Sequence, residues 1–81
     1  MTKQELKEIL ESSLKNCKAD VQSDDNVHFS VTIIADDFND IASKVKRQKL
    51  VYSKINKYIL SGELHAIAMK TIATNEVNNK S

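Results

Sequence analysis

Two histidines, His28 and His65, have the strongest claim on chemistry in this 81-residue chain. Neutral imidazole is a common ligand for zinc, copper and iron. Each histidine opens a short apolar run, His28-Phe29-Ser30-Val31-Thr32-Ile33 in one case and His65-Ala66-Ile67-Ala68-Met69 in the other. Two imidazoles do not complete a four-coordinate site. Cys17 is the only cysteine, which rules out an internal disulfide and a self-contained CxxC metal site. A metal held here therefore needs ligands from another molecule. The competing reading makes both histidines hydrogen-bonded surface residues at strand ends, and spacing alone leaves the two readings open. Strand alternation puts His28 on the solvent side, opposite Phe29, and His65 on the side of Ile67 and Met69. The two imidazoles then face each other only if a loop rotates one of them.

A second constellation is electrostatic. Residues 44–57 contain six Lys or Arg and no Asp or Glu, whereas residues 1–43 contain four against nine. The formal net charge of +1 thus conceals a basic segment, and Lys44, Lys46, Arg47 and Lys49 are the candidates for contact with nucleic-acid phosphates. Helically spaced lysines equally form a solvated face. Tyr52 and Tyr58 fall on the apolar stripe of the same segment, so no exposed aromatic platform is expected. Catalysis finds less support still: no nucleophile and base stand at a working spacing, and one glycine, Gly62, cannot build a phosphate-cradling loop. Cys17 continues the apolar face of the first helix and reads as a small buried residue rather than a reactive thiolate.

The elements that must position these groups follow from periodicity. Thr2 and Glu5 form a capping-box pattern ahead of Leu6, Ile9, Leu10 and Leu14, which predicts a helix over about residues 3–16. Ala19 to Ser23 is a weak strand, Asp24-Asp25-Asn26 a turn, and residues 28–35 a half-buried strand. Phe38 and Ile41 pin a short turn or helix. Ser43 caps a long helix over 44–60, with Val45, Gln48, Val51, Tyr52, Ile55, Tyr58 and Ile59 along one stripe, and Gly62 suits the left-handed residue that follows it. A strand from His65 to about Ile72 closes the domain. Thr74 to Ser81 has only Val77 to bury and reads as frayed. The order is α-β-β-α-α-β, an α+β fold with a three-stranded mixed sheet covered by helices. Its helical crossover predicts that the last two strands are parallel, which brings His28 and His65 to one edge of the sheet. A chain this short forms one domain, here residues 1–76 with a flexible tail at 77–81. Without an apolar run of about 18 residues or a signal-like start, it is expected to be soluble, cytoplasmic and free of membrane contact.

Four stretches in order resemble the BolA-like family over about residues 5–76: His28-Phe29-Ser30-Val31, Asp37-Phe38, Val45-Lys46-Arg47-Gln48-Lys49-Leu50-Val51-Tyr52, and Leu64-His65-Ala66-Ile67-Ala68-Met69-Lys70-Thr71. Gln48, where many relatives have histidine, makes the chain similar to the acid-stress IbaG branch. The resemblance implies a type II KH-like fold and a non-enzymatic adaptor. Such an adaptor binds a monothiol glutaredoxin of the CGFS type and shares a glutathione-bound 2Fe-2S cluster, in iron homeostasis, iron–sulfur trafficking or stress response. It implies His65 as one metal ligand, with His28, from the loop before the second strand, as the matching candidate for the other. The missing thiolates come from the glutaredoxin and its glutathione, so no cofactor is expected on the isolated chain, a monomer with a homodimer as the alternative. Family members have also been regarded as DNA-binding transcription regulators, which suits the basic helix. A true KH domain grips nucleic acid through a GxxG loop, which Gly62 alone cannot supply. Asn39-Asp40 replaces the family's usual acidic residue and glycine, and Ala73-Thr74 its usual Thr-Pro, so the turn into the second helix and the docking of the C-terminus are expected to differ.

Overall fold

The computed structural model describes residues 1–78. At the start of the chain the capping box forms: the Thr2 hydroxyl accepts from the Glu5 N–H at 3.1 Å, and the Glu5 carboxylate accepts from the Thr2 N–H at 2.9 Å. Two donors that the first turn leaves without partners are thereby satisfied. The helix they open, α1, runs Lys3–Ser13 and stops short of the predicted residue 16. Leu14 is already extended and Asn16 has φ +48. Lys15 is held from both sides, its N–H donating to the Asp37 carboxylate at 3.1 Å and its carbonyl accepting from the Asp36 N–H at 3.0 Å. Those long-range bonds outweigh one more turn of helix.

The sheet has the order β1-β2-β3. β1, Lys18–Gln22, is antiparallel to β2, His28–Ala35, and β2 is parallel to β3, Ala66–Ala73. The parallel pair is the arrangement that a helical crossover dictates. Alternation sends Phe29, Val31, Ile33 and Ala35 inward, where they meet Leu6 and Leu10 of α1 and Val51 and Ile55 of the long helix. The opposite face is left open, with Asp20, Gln22, Ser30, Ala68 and Lys70 along a shallow cleft. A 3₁₀ turn, Asp36–Phe38, follows β2 and buries Phe38 completely.

The long helix, α2, runs Lys44–Leu60, with Ser43 capping it through its hydroxyl. Gly62 takes φ +83, the conformation glycine adopts at least cost, and the Leu64 N–H closes back onto the Tyr58 carbonyl at 3.0 Å. The buried line of α2 is Arg47, Val51 and Ile55, four residues apart: Val51 and Ile55 keep their place on the expected stripe and Tyr58 and Ile59 pack against the core, while Val45 and Tyr52 leave it. Val45 is 61% exposed and Tyr52 also faces solvent. The line departs from the apolar pattern because Arg47 goes inward.

After β3 the chain forms a short helix, α3, Thr74–Asn78, where composition reads as fraying. Glu76 accepts from the Ala73 N–H and from Arg47, both at 2.7 Å, and the Asn75 N–H donates to the Asn39 side chain at 3.0 Å. Asn39 is one of the departures from the family pattern, and here it ties down the C-terminal helix. The remainder of the expected tail, residues 79–81, lies outside the described residues. Among the described residues no helix is long and apolar enough to cross a membrane.

Candidate metal centre

His28 opens β2 and pairs across the parallel ladder with Ala66, so His65, the residue before β3, stands beside it at one edge of the sheet. Both are exposed. Leu64 is 1% exposed, and the turn after Gly62 that seats it in the core puts His65 outside the ladder. Strand alternation, which set the two histidines on opposite faces, therefore does not govern His65. His28 borders two shallow clefts, one with Asp24, Asp25 and Ser30, the other with Phe29, Ile67 and Ala68.

The loop before β2 is organised by Asp25. Its Oδ1 accepts from the N–H groups of Val27 and His28, each at 2.9 Å, and its Oδ2 lies 3.0 Å from His28 Nδ1. Ser23 completes the turn, its hydroxyl accepting from the Asn26 N–H at 2.9 Å and donating to Asp25 Oδ1 at 3.3 Å. Asn26 takes φ +57, a left-handed conformation that asparagine tolerates. The bonds from the His28 N–H, the His28 ring and the Val27 N–H hold the Asp25 carboxyl well below the usual carboxylate range. Sequence reading took residues 24–26 as a turn and missed this contact. An Asp three residues before a His, inside a Ser/Asp/Asn-rich turn, is the pattern that signals it.

Cys17 is half-buried. Burial, and then the Glu11 and Asp37 carboxylates, push its thiol up to about 11, so it is a poor source of thiolate. Among the described residues no group of three or more His, Cys, Asp and Glu converges on a metal position.

The basic segment divides. Lys44, Lys46 and Lys49 are exposed, together with Lys54 and Lys57. Arg47 is 5% exposed, and its proposed phosphate contact is corrected. Its guanidinium donates to the carbonyls of Ile41, Phe38 and Thr71 and to the Glu76 carboxylate, and lies 5.8 Å from the Phe38 ring centroid. Five fixed donors suit arginine to tie several backbone carbonyls together. Tyr52, expected on the buried stripe, is at the surface and shares a helix face with Lys49.

Known proteins repeat this frame. A Haemophilus influenzae protein of uncharacterized function is 32% identical over 71 residues, spanning 88% of this chain and 81% of its own. A bolA protein homologue from Coxiella burnetii superposes with a TM-score of 0.82 over 96% of this chain and 97% of its own, at 23% identity, a likeness of fold. BolA1 from Arabidopsis thaliana gives a TM-score of 0.74 at 26% identity, over 91% of this chain and 93% of its own. The profile of the BolA-like proteins matches residues 2–76, nearly the whole described chain, and together with the shared fold and its parallel β2–β3 pair this shows that the chain belongs to the BolA-like protein family.

Proposed function

We propose that this protein is a non-enzymatic adaptor that binds a monothiol glutaredoxin of the CGFS type and shares with it a glutathione-bound 2Fe-2S cluster, serving iron–sulfur trafficking, iron homeostasis or the stress response. One observation carries the reading: two exposed imidazoles stand at the same end of adjacent parallel strands, His28 as the first residue of β2 and His65 just ahead of β3. A 2Fe-2S cluster takes four ligands and tolerates two imidazoles in place of two thiolates on one iron. His65 and His28 suit that half, and thiolates of the glutaredoxin and glutathione suit the other. Mixing the purified chain with such a glutaredoxin, iron, sulfide and glutathione is expected to give a mixed complex whose visible circular dichroism differs from that of the glutaredoxin alone. His65→Ala is expected to abolish that spectrum. An unchanged spectrum and complex would sink the reading.

The second reading, a nucleic-acid-binding transcription regulator, rests on the exposed Lys44, Lys46 and Lys49 and on the exposed Tyr52, one turn beyond Lys49, an aromatic surface on which a base can stack. It predicts binding that weakens steeply with salt and with charge reversal of those lysines. Absence of binding at low salt would remove it.

A further inference from the structure

The hold of Asp25 on His28 carries a further step, which rests on the adaptor reading above. Imidazole ligates a metal through an unprotonated ring nitrogen, and the hydrogen bond made by the other nitrogen sets which one is free. His28 Nδ1 lies 3.0 Å from Asp25 Oδ2. An ionised carboxylate only accepts, so Nδ1 carries the proton in this contact, and the lone pair of the neutral ring falls on Nε2. The side chain is 74% exposed, leaving Nε2 open to an approaching partner. The carboxylate is itself fixed, since its other oxygen is held by the N–H groups of Val27 and His28 and by the Ser23 hydroxyl. A free histidine prefers its proton on Nε2, so this loop works against the intrinsic preference of the ring and toward the tautomer that can bind metal outward.

We propose that Asp25 is a positioning residue for the shared centre: it keeps the His28 proton on Nδ1 and presents Nε2 as a preformed second ligand to the 2Fe-2S cluster. The rival role is purely local, with Asp25 capping the turn through its backbone contacts and its ring contact adding nothing to binding.

Asp25→Asn separates the two. The amide oxygen can keep the bonds from Val27 and His28, while the amide nitrogen donates to Nδ1 and drives the ring proton to Nε2. In the isolated protein, long-range nitrogen–proton NMR of the His28 ring is expected to show Nδ1–H in the parent and Nε2–H in the variant, with the Val27 and His28 amide resonances little moved. In a titration with the cluster-loaded glutaredoxin, read by visible circular dichroism, the variant is expected to bind 10–100-fold more weakly, the usual cost of losing a metal ligand's outer partner. A ring with its proton on Nε2 in the parent overturns the proposal, as does an Asp25→Asn titration indistinguishable from the parent's. If His28→Ala and His65→Ala each abolish the complex while Asp25→Asn does not weaken it, the positioning role fails and the adaptor reading stands. If His28→Ala leaves the complex intact, His28 is no ligand and the positioning role falls with it. Loss on His65→Ala alone keeps the adaptor, and loss on neither removes it.

Discussion

At the C-terminal end of the β2–β3 pair, Ala35 and Ala73 lead into the 3₁₀ turn and α3, and the Arg47 guanidinium lies among the carbonyls of Ile41, Phe38 and Thr71 and the Glu76 carboxylate. At the N-terminal end of the same pair, His28 and His65 face solvent, and the Asp25 contact occupies one ring nitrogen of His28. A charge taken out of water needs its hydrogen bonds satisfied, and at the first end they are, which makes that end structural. The imidazoles at the second end retain open coordinating capacity. The difference separates Arg47 from the two histidines: the buried cation serves the fold, and the exposed imidazoles are open to solvent.

The comparison breaks most visibly if Arg47 is removed. Arg47→Ala deprives three carbonyls and a carboxylate of their donor and empties the space over Phe38. Breaking a fully buried pair costs about 3–5 kcal/mol. Glu76 is half-exposed and can turn to water, so a loss of roughly 2–4 kcal/mol is expected in urea unfolding. The mixed glutaredoxin complex, assayed where the variant is still folded, is expected to form as for the parent. A loss under 1 kcal/mol, or a folded variant that cannot form the complex, would erase the distinction between the two ends.

Arg47 also marks where sequence reasoning reached its limit. The strand at 28–35, the helix at 44–60, the turn at Gly62 and the parallel crossover were legible because local signals agree there: alternation, a serine cap, one glycine and a helix between strands. The inward line of α2 is legible at Val51 and Ile55 but not at Arg47, because an arginine is expected outside, and only the oxygens of Phe38, Ile41, Thr71 and Glu76, up to 29 residues away, make its burial favourable. The end of α1 and the existence of α3 have the same origin, in long-range bonds from Asp37 and Asn39. At the candidate site, topology makes legible that His28 and His65 share one edge of the sheet. The contact of Asp25 with His28 is harder to read, because a turn alone already accounts for an Asp at that position.

A smaller effect sharpens the structural end. Bonds from the Ala73 N–H and then from Arg47 hold the Glu76 carboxyl below its ordinary value of 4.5. A carboxylate lowered in the folded state binds its proton more readily when unfolded, so its contribution is fully present above about pH 4.5 and is lost as pH falls through the lowered folded value. Glu76→Gln is therefore expected to be less stable than the parent at neutral pH, with the gap narrowing as pH falls below about 4.5. Parallel urea curves at both pH values check this, and a gap that stays constant with pH would assign Glu76 a role independent of its charge.

The smallest expected effect tests the other end. Exposed side chains without buried partners change stability by no more than about 0.5 kcal/mol when truncated. His65→Ala is exposed and lies outside the ladder, so its urea midpoint is expected to match the parent's. His28→Ala loses one contact to Asp25 while the two backbone bonds to that carboxylate remain, so it too is expected to stay within about 0.5 kcal/mol. Both variants are nonetheless expected to lose the glutaredoxin complex. That pairing of intact stability with lost binding is the signature of residues held for a partner. A destabilisation of 2 kcal/mol or more in either variant would mean that the imidazole supports the fold, and the two ends of the sheet would then differ only in degree.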